Sequence, residues 1–336
     1  MFKEEILKTI KKYNLIQNGD KIIVGLSGGP DSISLINVLD EIRKDKTTGL
    51  EFGIIAAHIN HNIREEAKSD EDYVVKYCKE KNIEVYVLSI DINKKAKEER
   101  KGTEETGRNA RYEFFEQILI KTKSNKIATA HTANDNAETV LMNIIRGSGT
   151  SGLKGIRPIR DDKFIRPLIE TTREEIEEYC KKNNLNPRID KTNFENDYTR
   201  NKTRNILIPL IKEQFNPNII MTINRLSDII NEENEYLEKL TKQKYKEILI
   251  EEKIGKQIVL DLKLFNEQDL VIKKRLILHT IKILQGNAQG IGKVHIEDII
   301  KLCGNNLGNK YLTPNKNLKV LIKNKKIYYS LFTIHY

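Results

Sequence analysis

The sequence predicts an α/β protein with a doubly wound, mostly parallel sheet, followed by a long linking helix and a smaller domain that is α/β or mainly helical. The first reason is an alternation of short apolar runs with helical patterns, since βαβα order is typical of a parallel sheet. The second is a glycine loop between the first strand and the first helix of that series. The third is the charged segment 226–249, in which apolar residues recur at helical spacing.

The elements of the predicted sheet follow one another closely along the chain. Its strands are expected at 21–26, 52–58, 84–88 and 126–130, and its helices at 31–43, 66–81, 104–121 and 134–145. In a sheet of this kind, ligands bind at the carboxyl ends of the strands. We therefore expect the functional motifs to lie directly after the strands.

The length of the chain predicts two domains. With 336 residues, the chain exceeds the size at which one hydrophobic core usually keeps growing. We place the boundary near Pro217, which gives domains 1–216 and 217–336. The net charge of +10 indicates a polyanionic partner, although a lysine-rich composition can also reflect genome bias.

The sequence indicates a cytoplasmic protein without a membrane partner. Cys78, Cys180 and Cys303 are isolated, so neither a disulfide framework nor a zinc site is expected. Residues 2–13 form a charged amphipathic pattern rather than a signal peptide. No apolar run approaches the roughly 20 residues that span a bilayer.

The segment 27–32, Ser-Gly-Gly-Pro-Asp-Ser, joins the first strand to the first helix. Its glycines allow several backbone N–H groups to converge on one anion, and the helix adds unpaired donors and a positive dipole end. An ordinary turn capped by Ser27 is the alternative, but capping requires neither both glycines nor the acid. We therefore expect a phosphate-binding loop, and the missing lysine excludes the GxxxxGK[ST] type.

Polar clusters follow two further strands. His58 comes after the second strand and His131 after the fourth, and either histidine alone could be structural. Asp135 and Glu138 share one face at a helix start. They either complement the helix dipole or bind a cation, which would be Mg²⁺ or an ammonium ion. Because the strand ends meet at one sheet edge, we expect these groups to form an active site with the loop.

Basic residues complete the set of candidates. Arg108 and Arg111 are three residues apart and face either phosphates or nearby acids. A basic cluster occupies 198–204, and the segment 299–336 carries several lysines among tyrosines and no acidic residue. Such segments are often only solvated, but in an RNA-binding protein they would contact backbone phosphates.

The order and spacing of these motifs resemble the tRNA(Ile)-lysidine synthetase family of the N-type ATP pyrophosphatase, or PP-loop, superfamily. The matching stretches are SGGPDS, HINHNIR, EETGRNARY, AHTANDNAETVLMNIIRGSG, GLKGIRP, RPL, TREEIEEY and DKTNFENDYTRNKTR. The resemblance covers residues of about 20–215, and only SGGxDS is shared by the whole superfamily. Gly107 and Asn60 depart from the family pattern, which usually has alanine and aspartate there; the second departure puts a catalytic role of Asn60 in doubt.

The resemblance implies a ligase that uses ATP and Mg²⁺. It would transfer AMP to the C2 oxygen of the wobble cytidine in the CAU-anticodon isoleucine tRNA, and the ε-amine of free L-lysine would then displace AMP to give lysidine. The implied partners are this tRNA and lysine, and the chain could assemble as a homodimer. Many family members carry a further C-terminal domain, and this sequence ends before one.

Combined with the resemblance, the motifs assign roles to individual residues. The candidates for ATP and pyrophosphate binding are Ser27, Gly28, Gly29, Pro30, Asp31, Ser32, His58 and His131, with Asp31 also as the Mg²⁺ ligand. The candidates for lysine binding are Arg108, Asp135 and Glu138, which together with Asp31 form the expected catalytic set. The candidates for tRNA binding are Arg146, Arg200, Arg204, Lys316 and Lys319.

Two other functions remain open from the sequence. One is another tRNA modifier of the same superfamily, such as a thiolase, although the missing CxxC pair argues against the iron–sulfur type. The other is a non-catalytic tRNA-binding protein that keeps ATP as a structural ligand. The intact SGGPDS loop with Asp135 and Glu138 argues against that second alternative.

Overall fold

The computed structural model describes residues 2–60, 67–188, 199–304 and 309–332. The chain divides into two compact units, residues 1–230 and 231–336. This division falls inside a helix of 30 residues, Ile219–Ile248, which is the long helix predicted for this region. The predicted stretches 61–64 and 190–198 belong to family motifs but lie outside the described residues.

The first unit is built on a six-stranded sheet. Its strands are β1 (Lys21–Gly25), β2 (Gly53–Asn60), β3 (Glu84–Ser89), β4 (Lys126–Ala128), β5 (Ile159–Arg160) and β6 (Phe164–Ile165). Their order is β3-β2-β1-β4-β6-β5, and all neighbours are parallel except β5 and β6. The predicted parallel α/β fold is therefore confirmed, with the β5–β6 hairpin as an unpredicted addition.

The helices of the first unit follow the predicted alternation. They are α1 (Phe2–Lys12), α2 (Pro30–Lys44), α3 (Ala67–Glu80), α4 (Ile92–Glu99), α5 (Thr103–Thr122), α6 (Ala133–Ile145), α7 (Thr150–Leu153), α8 (Arg173–Lys182), α9 (Thr199–Lys202) and α10 (Ile208–Gln214), and the long helix is α11 (Ile219–Ile248). A 3₁₀ turn occupies Lys46–Thr48, and a π-helical turn, Thr203–Leu207, joins α9 to α10.

Alternate side chains of β1 enter two different cores. Ile22 and Val24 pack with apolar residues of α1, α2 and α8 on one face, whereas Ile23 packs with Phe115 and its neighbours on α5 on the other face. All three strand residues are fully buried. Because successive strand residues point to opposite faces, this division shows that helices cover both sides of the sheet, as in a doubly wound fold.

The order of the strands reverses between β1 and β4. The chain runs outward from β1 to β2 and β3, and then returns to pair β4 with the other edge of β1. Ligands in open α/β sheets bind at such a switch point, outside the carboxyl ends of the strands. The loop after β1 and the residues after β4 therefore flank the expected binding crevice.

The second unit contains an antiparallel sheet covered by helices. Its strands are β7 (Leu249–Lys253), β8 (Gln257–Asp261), β9 (Lys310–Asn315), β10 (Leu318–Lys323) and β11 (Lys326–Leu331), in the order β7-β8-β11-β10-β9. Its further helices are α12 (Leu262–Asn266), α13 (Leu270–Gln285) and α14 (Lys293–Gly304). Fully buried Phe265, Leu276 and Tyr329 lie in its core. The second unit is thus of mixed helix and sheet content, and none of the helices described in either unit is long and apolar enough to cross a bilayer.

Candidate active site

The loop after β1 is held in shape by hydroxyl hydrogen bonds. The Ser32 Oγ accepts from the Ser27 N–H (3.1 Å), lies 3.0 Å from the Ser27 Oγ and donates to the Gly29 carbonyl (3.1 Å). Gly28 has φ +90°, a conformation that suits glycine. Gly29 precedes α2, which begins with Pro30 and has no side-chain cap among the described residues. The N–H groups of the first turn of α2 are therefore available to an anion, as expected for a phosphate site.

The Asp31 carboxylate lies in the first turn of α2 and lacks a partner for one oxygen. Its Oδ1 is buried without a hydrogen bond among the described residues. Burial, together with the negative charge of Asp135, raises the pKa of Asp31 to about 6. A buried carboxylate that is short of positive charge fits a cation, and Mg²⁺ in nucleotide sites is commonly bound by one or two carboxylates plus phosphates. No group of three or more His, Cys, Asp or Glu side chains in the described part of the chain could hold a metal, so a single protein carboxylate is the donor set that Mg²⁺ would use here.

His58 lies at the end of β2 and supports the backbone of the loop. Its ring is buried, and its Nδ1 lies 2.8 Å from the carbonyl oxygen of Leu26, the residue before the loop. Because a carbonyl oxygen only accepts, Nδ1 carries the proton. The other nitrogen, Nε2, is buried and has no partner among the described residues, so it can accept one hydrogen bond from a ligand.

His131 follows β4 and is held by Thr129. Its Nδ1 lies 2.9 Å from the Thr129 Oγ1. Burial lowers the pKa of His131 to about 4, and nearby arginines, Arg166 among them, outweigh the opposing charge of Asp135. The imidazole is therefore neutral at pH 7. Its predicted contact with ATP would be a hydrogen bond rather than an ion pair.

The predicted acid pair begins α6 and is buried. Thr132 forms a capping box with Asp135: the Thr132 Oγ1 accepts from the Asp135 N–H, and the Asp135 Oδ2 accepts from the Thr132 N–H at 2.9 Å. Glu138 lies one turn further along α6, and its side chain is only 1% exposed. The structure thus brings the two acids together on one helix face, as their spacing predicts.

Two arginines bind these acids from across the site. Arg204 donates to both oxygens of Glu138 (2.6 and 3.0 Å) and to the Asp135 Oδ1 (3.0 Å), and Arg200 donates to the Glu138 Oε2 and the Asp135 Oδ1, both at 3.0 Å. We call Asp135, Glu138, Arg200 and Arg204 the acid–arginine quartet. Its two negative charges are balanced by two positive charges. Burial alone would raise the pKa of Asp135, but Arg200, the Thr132 N–H and Arg204 lower it.

The π-helical turn Thr203–Leu207 carries Arg204 into the quartet. Arg200 lies one turn earlier, on α9, so both guanidinium groups reach the same face of α6. π-Helical turns are rare and are found mostly at functional sites. Both arginines were predicted to contact tRNA, and in this structure their charges are matched by carboxylates. Their contact with tRNA stays a prediction.

The comparisons with known proteins agree with this geometry. A sequence model described as the PP-loop domain matches residues 1–211. The chain is 46% identical over 334 residues to the tRNA(Ile)-lysidine synthase of Clostridioides difficile (strain 630), covering 97% of this chain and 70% of that protein. The chain belongs to the tRNA(Ile)-lysidine synthase family. The protein of the same name from Clostridium acetobutylicum is also 46% identical, over 93% of this chain and 66% of its own length.

The chain therefore spans about two thirds of the length of these two family members. Among solved structures, it is similar to the U34-tRNA thiolase NcsA from Methanococcus maripaludis with its [4Fe-4S] cluster, with a TM-score of 0.54, 21% identity, and coverage of 68% of this chain and 78% of that chain. At this identity the likeness concerns the fold alone. The resemblance to lysidine synthases noted in the sequence is confirmed, and the thiolase alternative is not favoured.

The remaining candidates of the lysidine synthase pattern do not all converge. The Arg108 guanidinium lies over the Tyr112 ring, 5.7 Å from its centre, and among the described residues it makes no ion pair with Asp135 or Glu138. Arg146 follows the end of α6 and is exposed. In the second unit, Lys316 is exposed between β9 and β10, and the Lys319 Nζ lies 4.4 Å from the centre of the Tyr311 ring.

The sequence reasoning missed two arginines that the fold places near Arg108. Arg160 ends β5, and Arg166 directly follows β6. The Arg160 Nη1 donates to the Tyr112 hydroxyl at 3.2 Å. The signal was present as the motifs GLKGIRP and RPL, which identify the family but do not by themselves suggest a chemical role.

Proposed function

We propose that this protein ligates free L-lysine to C2 of the wobble cytidine in the CAU-anticodon isoleucine tRNA, using ATP. The observation that carries the proposal is the pairing of an open phosphate loop after β1 with a buried acid pair after β4, on the two sides of the sheet's switch point. Membership of the lysidine synthase family supports it. A cytoplasmic location fits such an enzyme.

The first step would join the cytidine to AMP. The C2 oxygen attacks the α-phosphorus of ATP, and the bond between the α-phosphorus and its bridging oxygen breaks as diphosphate leaves. The N–H groups of the loop and of the first turn of α2 would hold the departing diphosphate, and an electrostatic role of this kind requires no covalent enzyme intermediate. The chemistry that Mg²⁺ supplies when bound at Asp31 is neutralisation of charge on the phosphates.

The second step would join lysine to the activated base. The ε-nitrogen attacks C2, the C2–O bond breaks, and AMP leaves. With a reference pKa near 10.4, only about one lysine amine in 2,500 is neutral at pH 7. Asp135 and Glu138 can attract the ammonium form and accept its proton. Because the quartet is already neutral, the ammonium would take the place of hydrogen bonds that Arg200, the more exposed of the two arginines, now makes.

The second unit would contribute to tRNA binding. Its support is the run of lysines around β9 to β11, including Lys316 and Lys319, in a segment that lacks acidic residues. Cationic side chains that neutralise phosphates release counterions, so their contribution depends on salt. The homodimer stays a prediction.

The function is tested by analysing the anticodon nucleoside. The full chain is incubated with ATP, Mg²⁺, lysine and tRNA(Ile) carrying CAU, and the nucleosides are measured by mass spectrometry. We expect cytidine to gain the mass of lysine less water, with AMP and diphosphate released. Without lysine, adenylated tRNA should accumulate. Absence of AMP formation would support a non-catalytic tRNA-binding protein instead.

The separate location of the two sites gives a sharper test. Glu138→Gln keeps the volume of the side chain and removes its charge, and a charged hydrogen bond is worth roughly 1.5 to 3 kcal/mol, or about ten- to a hundredfold in affinity. We expect the KM for lysine to rise by this factor while the KM for ATP changes little. A rise in the KM for ATP alone would contradict the assignment of Glu138 to the lysine side of the site.

A further inference from the structure

A second group of arginines lies beside the quartet and differs from it in charge balance. Its members, here named the arginine cluster, are Arg108, Arg111, Arg160 and Arg166. They surround Tyr112 on α5: the guanidinium carbons of Arg160 and Arg108 lie 4.7 and 5.7 Å from the centre of its ring. The Arg160 guanidinium also lies 4.3 Å from the centre of the Phe164 ring.

The positive charge of the arginine cluster is largely uncompensated. Of the carboxylates that the structure describes, only Asp161 lies within 4 Å of these guanidinium groups, 3.3 Å from the Arg160 Nε. That contact lacks hydrogen-bond geometry, since the Arg160 Nε is buried without a hydrogen-bond partner among the described residues. Four guanidinium groups and one carboxylate leave three positive charges, whereas the quartet is neutral.

Arg166 is the most deeply buried member of the cluster. It is only 6% exposed, and its Nε also has no partner among the described residues. One of its Nη groups donates to the Arg157 carbonyl. Burial, followed by the charge of Arg160, lowers the pKa of Arg166 to about 10, so the group is still charged at pH 7. Burying a charge without a counter-charge is costly, and an anionic ligand would remove that cost.

The neighbouring side chains respond to the same excess of charge. Burial would raise the pKa of Tyr112, but the hydrogen bond from Arg160 and the charges of Arg160, Arg108 and Arg166 lower it. Arg166 and Arg111 also act on His131 at the active site. The cluster is therefore adjacent to the reaction centre, on the β6 side of β4, while the phosphate loop lies on the β1 side.

We propose that the arginine cluster binds phosphodiester groups of the tRNA anticodon loop, next to the wobble nucleotide. The inference rests on the proposed function, which supplies tRNA as the partner. The phosphates of ATP already have a site on β1, and the single carboxylate of lysine would neutralise only one of three excess charges. Successive RNA phosphates carry one charge each and match the excess. The planar guanidinium fork of Arg160, oriented by two aromatic rings, suits bidentate contact with phosphate oxygens.

The test compares two neutral substitutions on one hairpin. Arg160→Gln removes a cluster charge, Arg160→Lys keeps that charge, and Lys163→Gln removes a charge that is already paired with Glu116. Binding of tRNA is measured by fluorescence anisotropy between about 50 and 200 mM salt. For Arg160→Gln we expect about tenfold weaker binding and a salt slope reduced by roughly 0.7 to 0.9. Arg160→Lys should keep the slope, and Lys163→Gln should resemble the wild type.

A second variant keeps the inference testable if Arg160→Gln does not fold. Asp161 is exposed and has φ +54°, a conformation that asparagine tolerates, so Asp161→Asn should fold normally. It raises the net charge of the cluster by one, and we expect tighter tRNA binding at low salt. An unchanged salt slope in Arg160→Gln, or no gain of affinity in Asp161→Asn, would overturn the inference.

Steady-state kinetics of the same variants separate the other anions. A selective rise in the KM for lysine would show that the cluster binds the lysine carboxylate, and a selective rise in the KM for ATP would show that it binds nucleotide phosphate. Either result would overturn the proposal. If wild-type protein binds this tRNA with the expected salt dependence but forms no lysidine, the proposed function fails while the phosphate site stands.

Discussion

The acid–arginine quartet makes a quantitative prediction for Glu138→Gln. Glu138 is 1% exposed and accepts three of the five hydrogen bonds that Arg200 and Arg204 donate. The variant leaves two guanidinium groups with one carboxylate, and its amide N–H groups face arginine donors. Removing one partner of a buried ion pair costs about 3 to 5 kcal/mol. For a unit of this size that lowers the Tm by about 6 to 20 °C.

The control is the same substitution in an exposed ion pair. Glu174, on α8, binds the Lys212 Nζ at 2.6 Å, but its side chain is 61% exposed. Exposed pairs contribute about 0.2 to 1 kcal/mol, so Glu174→Gln should lower the Tm by less than about 4 °C. Both variants are followed by far-ultraviolet circular dichroism during heating and in urea. Equal shifts of the midpoint in the two variants would refute the view that the buried quartet stabilises the first unit.

Three further predictions concern single groups. Asp31→Asn should abolish AMP formation yet raise the free energy of unfolding by about 1 kcal/mol without ATP, because a pKa near 6 shows that the charge is unfavourable where it lies; a stable variant that still adenylates tRNA would contradict the assignment. His131 should be neutral in the folded protein at pH 6 by NMR. Its contribution to stability is present above its unfolded pKa of about 6.5 and is lost as the pH falls toward its folded pKa of about 4; a folded midpoint above 6 would disprove this. Replacing Lys316 and Lys319 by alanine should reduce the salt slope of tRNA binding by roughly 0.7 to 0.9 per lost contact, and an unchanged slope would show a solvated surface.

Features that depend on neighbouring residues could be predicted from the sequence. The loop at Ser27 to Ser32 and the shared face of Asp135 and Glu138 follow from local spacing, and both appear as expected. The partners of that acid pair could not be predicted, because Arg200 lies 62 to 65 residues away along the chain. The spacing of a basic cluster does not distinguish an arginine that faces RNA from one that binds a buried carboxylate.

The arginine cluster shows the same limit in another form. Arg108 was selected for its motif, whereas Arg160 and Arg166 lie on an antiparallel hairpin that interrupts the regular alternation of strands and helices. Short strands of two residues leave no periodic pattern in the sequence. Only the fold shows that these three arginines share one tyrosine.

The capping box at Thr132 also has a consequence for the entropy of ligand binding. One oxygen of Asp135 is held by the Thr132 N–H and hydroxyl, at 2.9 and 3.1 Å, so the side chain is restricted to one rotamer before any ligand arrives. A free carboxylate would lose that freedom when it captures a cation, at a cost of about 0.5 to 1.5 kcal/mol. Here the loss accompanies the folding of α6, and the second oxygen points at its partner with a direction set by the backbone.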